Sequence, residues 1–251
     1  MAPNAQGGLR LPKKTLISGV VVQTHRGRCV VEREDTRESL ICMKAKKFLG
    51  QQIVPGDRVK VFPGADLGRI EGVEERRSVI RRTADDTDPR EKIIAANCTH
   101  LACIFSTTTP KPQPDFIRRV LKSAEFEGVE PLLIVTKTDL EPFGASVLPP
   151  EAEGVQMFDA NEEFDRLINY LQGKITAFVG LSGVGKSTLI NHIFPEAEQR
   201  VGDVSANGDG RHTSTSSHAF RLSPSALVID TPGVRSFGLG HLGVDVAQRS
   251  E

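Results

Sequence analysis

The sequence predicts two domains of different classes, a small all-β barrel followed by an α/β domain with a largely parallel sheet. Between residues 15 and 82, short apolar runs with strand character alternate with turns rich in glycine and proline. Beyond a polar segment at 83–92, apolar strands alternate with amphipathic helical patterns, which is typical of an α/β domain. The predicted boundaries are a tail at 1–14, the barrel at 15–82, a linker at 83–92, the α/β domain at 93–239 and a second tail at 240–251.

The barrel prediction depends on five short strand-like runs in the first domain. They lie at 16–22, 28–32, 39–43, 58–62 and 68–72. Five strands in so short a segment favour an OB-fold, which is a five-stranded barrel.

In the second domain, apolar strands are predicted at 100–105, 131–135, 155–158, 175–180 and 226–229, with an antiparallel partner at 219–222. One predicted helix begins near Pro114 and ends before Gly128, and its apolar face contains Ile117, Val120, Leu121 and Ala124. A second helix ends at Gly173, and its apolar face contains Phe164, Leu167, Ile168 and Leu171.

The strongest motif is a glycine-rich loop between the predicted strand at 175–179 and a helix that starts near Lys186. It matches the P-loop pattern GxxxxGK[ST] with Gly180, Leu181, Ser182, Gly183, Val184, Gly185, Lys186 and Ser187. Glycines let backbone N–H groups surround phosphates, and the helix N-terminus adds a partial positive charge. Lys186 would reach the β and γ phosphates, and the Ser187 hydroxyl would bind Mg²⁺. The loop predicts a nucleoside triphosphate site without distinguishing ATP from GTP.

The four residues after the predicted strand at 132–135 indicate which base is bound. Thr136, Lys137, Thr138 and Asp139 match the base-recognition pattern [NT]KxD. The Asp139 carboxylate can accept hydrogen bonds from N1–H and from the exocyclic amine of guanine, whereas adenine offers no such pair of donors. The aliphatic stem of Lys137 would cover the face of the base. Together with the P-loop, this motif predicts GTP and GDP as ligands.

A third motif, DTPG at 230–233, ends the predicted strand at 227–229. Asp230 would hold Mg²⁺ through water, and the Gly233 N–H would reach the γ-phosphate. The polar segment at 201–218 is predicted to be a switch loop, from which Thr213 would complete the Mg²⁺ shell. Val234 and Arg235 follow the motif, so no glutamine stands there to orient water, and slow intrinsic hydrolysis is expected.

Charge is unevenly distributed, although the formal net charge is zero. Residues 1–82 contain 17 Lys/Arg and 9 Asp/Glu, whereas residues 83–251 contain 15 and 23. The imbalance favours contact between the barrel and nucleic acid, with two ordinarily solvated surfaces as the alternative. Only Phe48 and Phe62 are aromatic in residues 1–82, so phosphate contacts to folded RNA are favoured over base stacking. The candidate phosphate contacts are Arg76, Arg77, Arg81 and Arg82.

The composition, 38% hydrophobic and 25% charged, is that of an ordinary globular protein. No apolar run approaches the roughly 20 residues that span a bilayer, and the N-terminus lacks the apolar core of a signal peptide. A cytoplasmic monomer without membrane contact is therefore predicted. The cysteines are Cys29, Cys42, Cys98 and Cys103. Cys98, His100 and Cys103 lie in an apolar strand-like run, and no second Cys/His pair completes four ligands, so we expect reduced thiols and no zinc from these residues.

The motif order is unusual, because the base motif at 136–139 precedes the P-loop at 180–187. With the N-terminal barrel and the GRHTST run at 210–215, this order resembles the small-subunit-dependent ribosome-assembly GTPases (RsgA/YjeQ) over roughly residues 16–239. The resemblance implies a circularly permuted α/β P-loop GTPase domain preceded by an OB-fold barrel. It also implies a role in late maturation of the small ribosomal subunit, contact with its rRNA, and GTP hydrolysis stimulated by that subunit.

The same resemblance assigns site residues by motif. Nucleotide contacts would extend through Thr188, and Ala160 would lie beside the base. His212, in the switch loop, is the candidate for assisting hydrolysis together with Lys186 and Thr213.

Three departures from the family pattern are visible. Thr136 stands where Asn is commoner and Asp159 stands where the family has Ser, so altered guanine affinity is expected. The family also has a C-terminal zinc site of three Cys and one His. Those ligands are absent from this sequence, so zinc is not predicted here.

Two other functions remain open at this level. The chain could be a GTP-dependent RNA-binding module with little or no hydrolysis of its own. It could also be a P-loop ATPase or kinase of another class, against which Asp139 argues.

Overall fold

The computed structural model describes residues 15–25, 27–48, 50–83, 91–196 and 217–232. Its first part is a five-stranded barrel formed by β1 (Ile17–His25), β2 (Arg28–Arg33), β3 (Ser39–Lys44), β4 (Arg58–Phe62) and β5 (Gly68–Val73). The strands pair in the order β1-β2-β3-β5-β4, and β4 pairs with β1 to close the barrel. Only β3 and β5 are parallel within this ring. The closed five-stranded ring confirms the predicted OB-fold.

The inward side chains of the barrel alternate with outward ones, as the period of a strand requires. They form a separate core of Val21, Cys29, Val31, Cys42, Ile53, Val59, Val61 and Ile70. Burial raises the pKa of the Cys29 thiol to about 11 and that of Cys42 to about 12. Both thiols therefore contribute to the barrel as small apolar groups.

A two-stranded ribbon that the sequence analysis missed follows the barrel. It consists of β6 (Val79–Arg82) and β7 (Lys92–Ala96), which pair antiparallel. Ile80 and Ile94 from this ribbon are buried in the core of the α/β domain, not in the barrel. Part of the predicted linker is therefore strand, and Ile80 packs with the second domain although it precedes the polar segment.

The α/β domain contains β8 (His100–Ser106), α1 (Pro114–Glu127), β9 (Glu130–Thr136), β10 (Met157–Asp159), α2 (Phe164–Leu171), β11 (Ile175–Gly180), α3 (Lys186–Ile193), β12 (His218–Ser223) and β13 (Ala226–Asp230). The strand order is β10-β9-β8-β11-β13-β12, and all of these pairs are parallel except β12 with β13. Each strand predicted in this domain is present. No helix among the described residues is long and apolar enough to cross a membrane.

Helix α1 shows how local sequence sets these elements. Pro114 lies in its first turn, where a missing N–H costs no helical hydrogen bond. Gly128 ends the helix at φ 66°, and its N–H donates to the carbonyls of Ala124 and Glu125. The predicted apolar face is buried, so α1 covers one side of the sheet.

The two domains are joined along β1 and β12, which pair at Gln23 and His218. Arg221 on β12 forms a hydrogen-bonded ion pair with Glu32 on β2, and both side chains are largely buried. Arg37 donates to the carbonyl oxygen of Pro224 at 3.3 Å. The barrel is therefore fastened to the β12–β13 hairpin of the α/β domain.

A buried carboxylate fixes the segment that leaves the barrel. Asp57 has no solvent exposure, and its Oδ2 accepts the N–H of Val54 at 2.9 Å. Arg76 donates through Nε to Oδ1 at 2.7 Å and through Nη2 to Oδ2 at 2.8 Å. Such a two-point ion pair is geometrically specific, and losing one partner would leave a charge without compensation.

Asp57→Ala should therefore destabilise the protein by about 3–5 kcal/mol, because Arg76 loses its buried counter-charge. Unfolding in urea followed by circular dichroism measures this loss. Asp66→Asn, at an exposed aspartate of the same barrel, is the control and should change stability little. Equal stability losses in the two variants would contradict a structural role for the Asp57–Arg76 pair.

Candidate nucleotide-binding site

The P-loop leaves β11 and enters α3 in the conformation that its glycines permit. Gly183 and Gly185 have φ of 84° and 92°, a region that other residues rarely adopt. A Cβ at Gly180 would lie 2.8 Å from the carbonyl oxygen of Ile104. The glycines are thus needed both for the turn and for close packing against β8, and they leave backbone N–H groups available to an anion.

The side chains of the loop divide into a buried and an exposed set. Leu181, Val184 and Lys186 are buried, whereas Ser182, Ser187 and Thr188 are exposed. Ser187 and Thr188 lie in the first turn of α3, where the helix dipole favours negative charge. The Ser187 and Thr188 hydroxyls are therefore presented to solvent at a helix N-terminus, whereas Lys186, the predicted phosphate-binding lysine, is buried.

The base motif begins at the end of β9 and is hydrogen-bonded to the P-loop. The Thr136 hydroxyl lies 2.5 Å from the carbonyl oxygen of Val184 and 3.1 Å from that of Phe105. Lys137 has φ of 61°, and its Nζ donates to the carbonyl oxygen of Gly183 at 2.8 Å and also to that of Thr109. Thr136, the departure from Asn, thus makes a direct contact with the P-loop.

A second loop lies beside the base motif. Ala160 is buried, and its N–H donates to the carbonyl oxygen of Val135 at 2.9 Å. Asp139 is exposed, and its Oδ1 accepts a hydrogen bond from Asn161 Nδ2 at 2.7 Å. The structure therefore brings Thr136, Lys137, Asp139 and Ala160 to the carboxyl end of β9 and β10, next to the P-loop.

The P-loop lysine is already paired within the protein. Lys186 Nζ donates to Asp230 Oδ1 and to the carbonyl oxygen of Thr231, the latter at 2.6 Å. Thr231 is itself fixed, because its hydroxyl donates to the carbonyl oxygen of Phe178 at 2.8 Å. The residue assigned to phosphate and the residue assigned to Mg²⁺ are thus in contact, and each neutralises the other.

Magnesium fits the donor atoms of this region. The Ser187 hydroxyl and the Asp230 carboxylate are oxygen ligands, the type that Mg²⁺ prefers, and Mg²⁺ is usually bound by one or two such groups together with phosphates. Within the described ranges, no group of three or more His, Cys, Asp or Glu side chains is arranged to hold a metal. His212, Thr213 and Gly233 lie outside the described residues.

Several residues of the site belong to none of the predicted motifs. Thr107 donates through its hydroxyl to the carbonyl oxygen of Lys137 at 2.8 Å, and Thr109 accepts from Lys137. Asn161 is a further such residue. The sequence does hold a signal for Thr107 and Thr109, because they follow the carboxyl end of a buried parallel strand, where ligands of α/β proteins bind.

Comparison with known proteins agrees with this geometry. A family model described as RsgA GTPase matches residues 73–240. The small ribosomal subunit biogenesis GTPase RsgA of Paraburkholderia phytofirmans is 33% identical over 250 residues, which cover 93% of this chain and 77% of the relative. The protein of the same name from Chromohalobacter salexigens is 36% identical over 236 residues, covering 88% and 68%.

Solved structures show the same architecture. The crystal structure of YjeQ from Thermotoga maritima matches with a TM-score of 0.62 and 28% identity, covering 87% of this chain and 75% of that one. The crystal structure of YloQ, described as a circularly permuted GTPase, matches in fold with a TM-score of 0.61 and 21% identity, covering 92% and 77%. From its motif order, its fold and these matches, the chain belongs to the RsgA family of GTPases.

Proposed function

We propose that this chain binds GTP with Mg²⁺ and hydrolyses it to GDP and phosphate during late maturation of the small ribosomal subunit. The small subunit itself would stimulate this hydrolysis. The observation that carries the proposal is the pair of hydrogen-bonded loops at one edge of the sheet. Lys137 and Thr136 join the guanine-reading motif to the P-loop, so that one ligand can reach both. The relatives are named small ribosomal subunit biogenesis GTPases, which supports the biological role.

Nucleotide binding would replace the Lys186–Asp230 ion pair by contacts with phosphate and Mg²⁺. Lys186 forms an ion pair with Asp230. Phosphate oxygens would take over Lys186, and Asp230 would then be free to hold Mg²⁺ through water together with Ser187. When bound, Mg²⁺ supplies positive charge that offsets the charge of the β and γ phosphates.

Hydrolysis would depend on position and electrostatics rather than on covalent chemistry. Lys186 and the N–H groups of the P-loop stabilise charge on the phosphates, and Gly233 contributes a further N–H. Thr213 is assigned to the Mg²⁺ shell, and His212 to orienting the attacking water. These switch-loop roles explain why turnover would need the small subunit to complete the site.

The base-reading role of Asp139 predicts a change in specificity. Asp139→Asn sets an amide donor against two guanine donors, so GTP affinity should fall by about 2–4 kcal/mol. Xanthine carries a carbonyl where guanine has its amine, so the variant should gain affinity for XTP. Equilibrium binding of labelled GTP and XTP measures both, with Asp165→Asn as a control at an exposed aspartate on α2. Unchanged GTP affinity in Asp139→Asn would remove the guanine assignment.

The role of His212 predicts a selective loss of stimulated turnover. His212→Ala should bind GTP as the parent does, yet its rate of hydrolysis with small subunits should fall at least about tenfold. A side chain positioned for general acid–base catalysis contributes about 10²–10⁴-fold to the rate. His241→Ala, outside all the nucleotide motifs, is the matched control. Phosphate release with and without subunits is the measurement, and parental stimulation in His212→Ala would exclude the role.

The positive charge of the barrel predicts that RNA binds there. The structure shows that two of the arginines named from the sequence are unsuitable for testing this. Arg76 is held by Asp57, and Arg81 by Glu127, so reversing these charges would disturb the fold. Lys46 and Lys47 are exposed on the short helical turn after β3, and they are better placed to meet phosphates. We therefore assign the electrostatic contact with rRNA to this part of the barrel.

The double variant Lys46→Glu/Lys47→Glu should bind small subunits more weakly, on the order of tenfold, and with a shallower dependence on salt. Its intrinsic GTP hydrolysis should stay at the parental rate. Lys92→Glu/Lys122→Glu makes the same change of charge on the α/β side and controls for net charge. Sedimentation with small subunits across a salt series measures binding. An equal loss of subunit binding in both double variants would mean that the net charge of the protein, and not the surface at Lys46 and Lys47, determines binding.

A further inference from the structure

The base-reading carboxylate is held by a residue outside the base motif. Asn161 Nδ2 lies 2.7 Å from Asp139 Oδ1 and 3.3 Å from the Thr138 hydroxyl. Asp139 and Asn161 are both exposed, so packing does not fix their side chains. The hydrogen bond is therefore what sets the direction in which the Asp139 carboxylate points.

Asn161 is itself fixed by the loop that carries it. Asp159 Oδ1 accepts the N–H of Asn161 at 2.8 Å and the N–H of Glu162 at 3.2 Å. The same oxygen accepts the Thr138 hydroxyl at 2.9 Å. Asp159 thus forms an Asx-turn with the residues that follow it. The hydrogen bond from the Thr138 hydroxyl links this turn to the base motif.

These contacts form one network from Asp159 through Asn161 and Thr138 to Asp139. A carboxylate has about four acceptor positions, and guanine would use two of them. Asn161 occupies one of the others, and its amide donates without adding a charge that would compete with the base. A carboxylate that the protein itself orients loses less conformational freedom on binding, which lowers the ordering cost.

We infer that Asn161 is a positioning and specificity residue of the guanine site, which acts by orienting the Asp139 carboxylate. The inference deepens the proposed function and depends on it. Asn161 reads the base indirectly, since it determines whether both oxygens of Asp139 face the two donors of guanine. Asp159, which stands where the family has Ser, supports the turn that presents Asn161.

The first test removes the amide. Asn161→Ala should weaken GTP binding by about fivefold to tenfold, the usual net worth of one hydrogen bond. Binding of ITP, which lacks the exocyclic amine, should weaken less, so the preference for GTP over ITP falls. Asn169→Ala, at an exposed asparagine on α2, is the matched control and should leave both affinities unchanged. Equal losses for GTP and ITP would show that Asn161 only supports the loop, and no loss would overturn the inference outright.

A second test reverses the hydrogen bond. In Asp139→Asn, Asn161 should hold the carbonyl oxygen of the new amide and turn its N–H₂ toward the base, which favours XTP. Adding Asn161→Asp replaces this donor by an acceptor, which takes the N–H₂ and leaves the carbonyl oxygen for guanine. The double variant should therefore prefer XTP over GTP about fivefold less than Asp139→Asn alone, the worth of one redirected hydrogen bond. An unchanged preference would contradict the orienting role.

The outcomes separate this inference from the proposed function. If Asp139→Asn keeps parental GTP affinity, the guanine site itself is wrong. If Asp139→Asn loses GTP while Asn161→Ala and the double variant behave as their parents do, the site stands and only the role of Asn161 fails.

Discussion

The hydrogen bonds from Lys137 and Thr136 to the P-loop hold the candidate site together. Their partners, Gly183 and Val184, are 46 and 48 residues away in the chain, and only the sheet brings them close. Strands β9, β8 and β11 are parallel neighbours, so their carboxyl ends meet at one edge. The order in which the motifs occur along the chain is therefore immaterial to the site. A permuted chain builds the same edge, provided that each motif still follows its own strand.

Lys137 shows what this contact requires of the backbone. A residue other than glycine in the left-handed region costs roughly 1–2 kcal/mol, and Lys137 adopts φ of 61°. Its Nζ bonds to Gly183 and Thr109, and its carbonyl accepts the Thr107 hydroxyl at 2.8 Å, so three contacts from two neighbouring loops over-determine this conformation. The buried Lys186 likewise requires a counter-charge, which Asp230 supplies. The backbone at Lys137 is thus held by neighbouring loops, and the charge of Lys186 is compensated by Asp230.

The sequence predicted the parts of this arrangement that depend on local patterns. Strand periodicity located the five barrel strands and the strands β8 to β13 of the α/β domain, and the glycine spacing located the P-loop. It did not predict the ribbon of β6 and β7, because the four residues of β6 form a strand only through Ile80 packing into a core far along the chain. Nor did it predict that Arg76 is bound to Asp57, and so a group counted as surface charge proved to be structural. Asn161 was not predicted either, because an exposed asparagine matches no sequence pattern. Only the fold shows that its amide lies 2.7 Å from Asp139.

The junction of the two domains bears on how the barrel and the nucleotide site can affect each other. Strand β1 of the barrel pairs with β12, and β12 pairs with β13, whose last residue is Asp230. Glu32 and Arg221 fasten the same hairpin through a largely buried ion pair, which is costly to break because it would strand a charge. Among the described residues, the barrel strand β1 therefore meets β12, whose hairpin partner β13 ends at Asp230, whereas the base motif follows β9 on the other side of β11. A partner that grips the barrel would act on the phosphate end of the site, while guanine recognition at Asp139 would remain on the opposite side of β11.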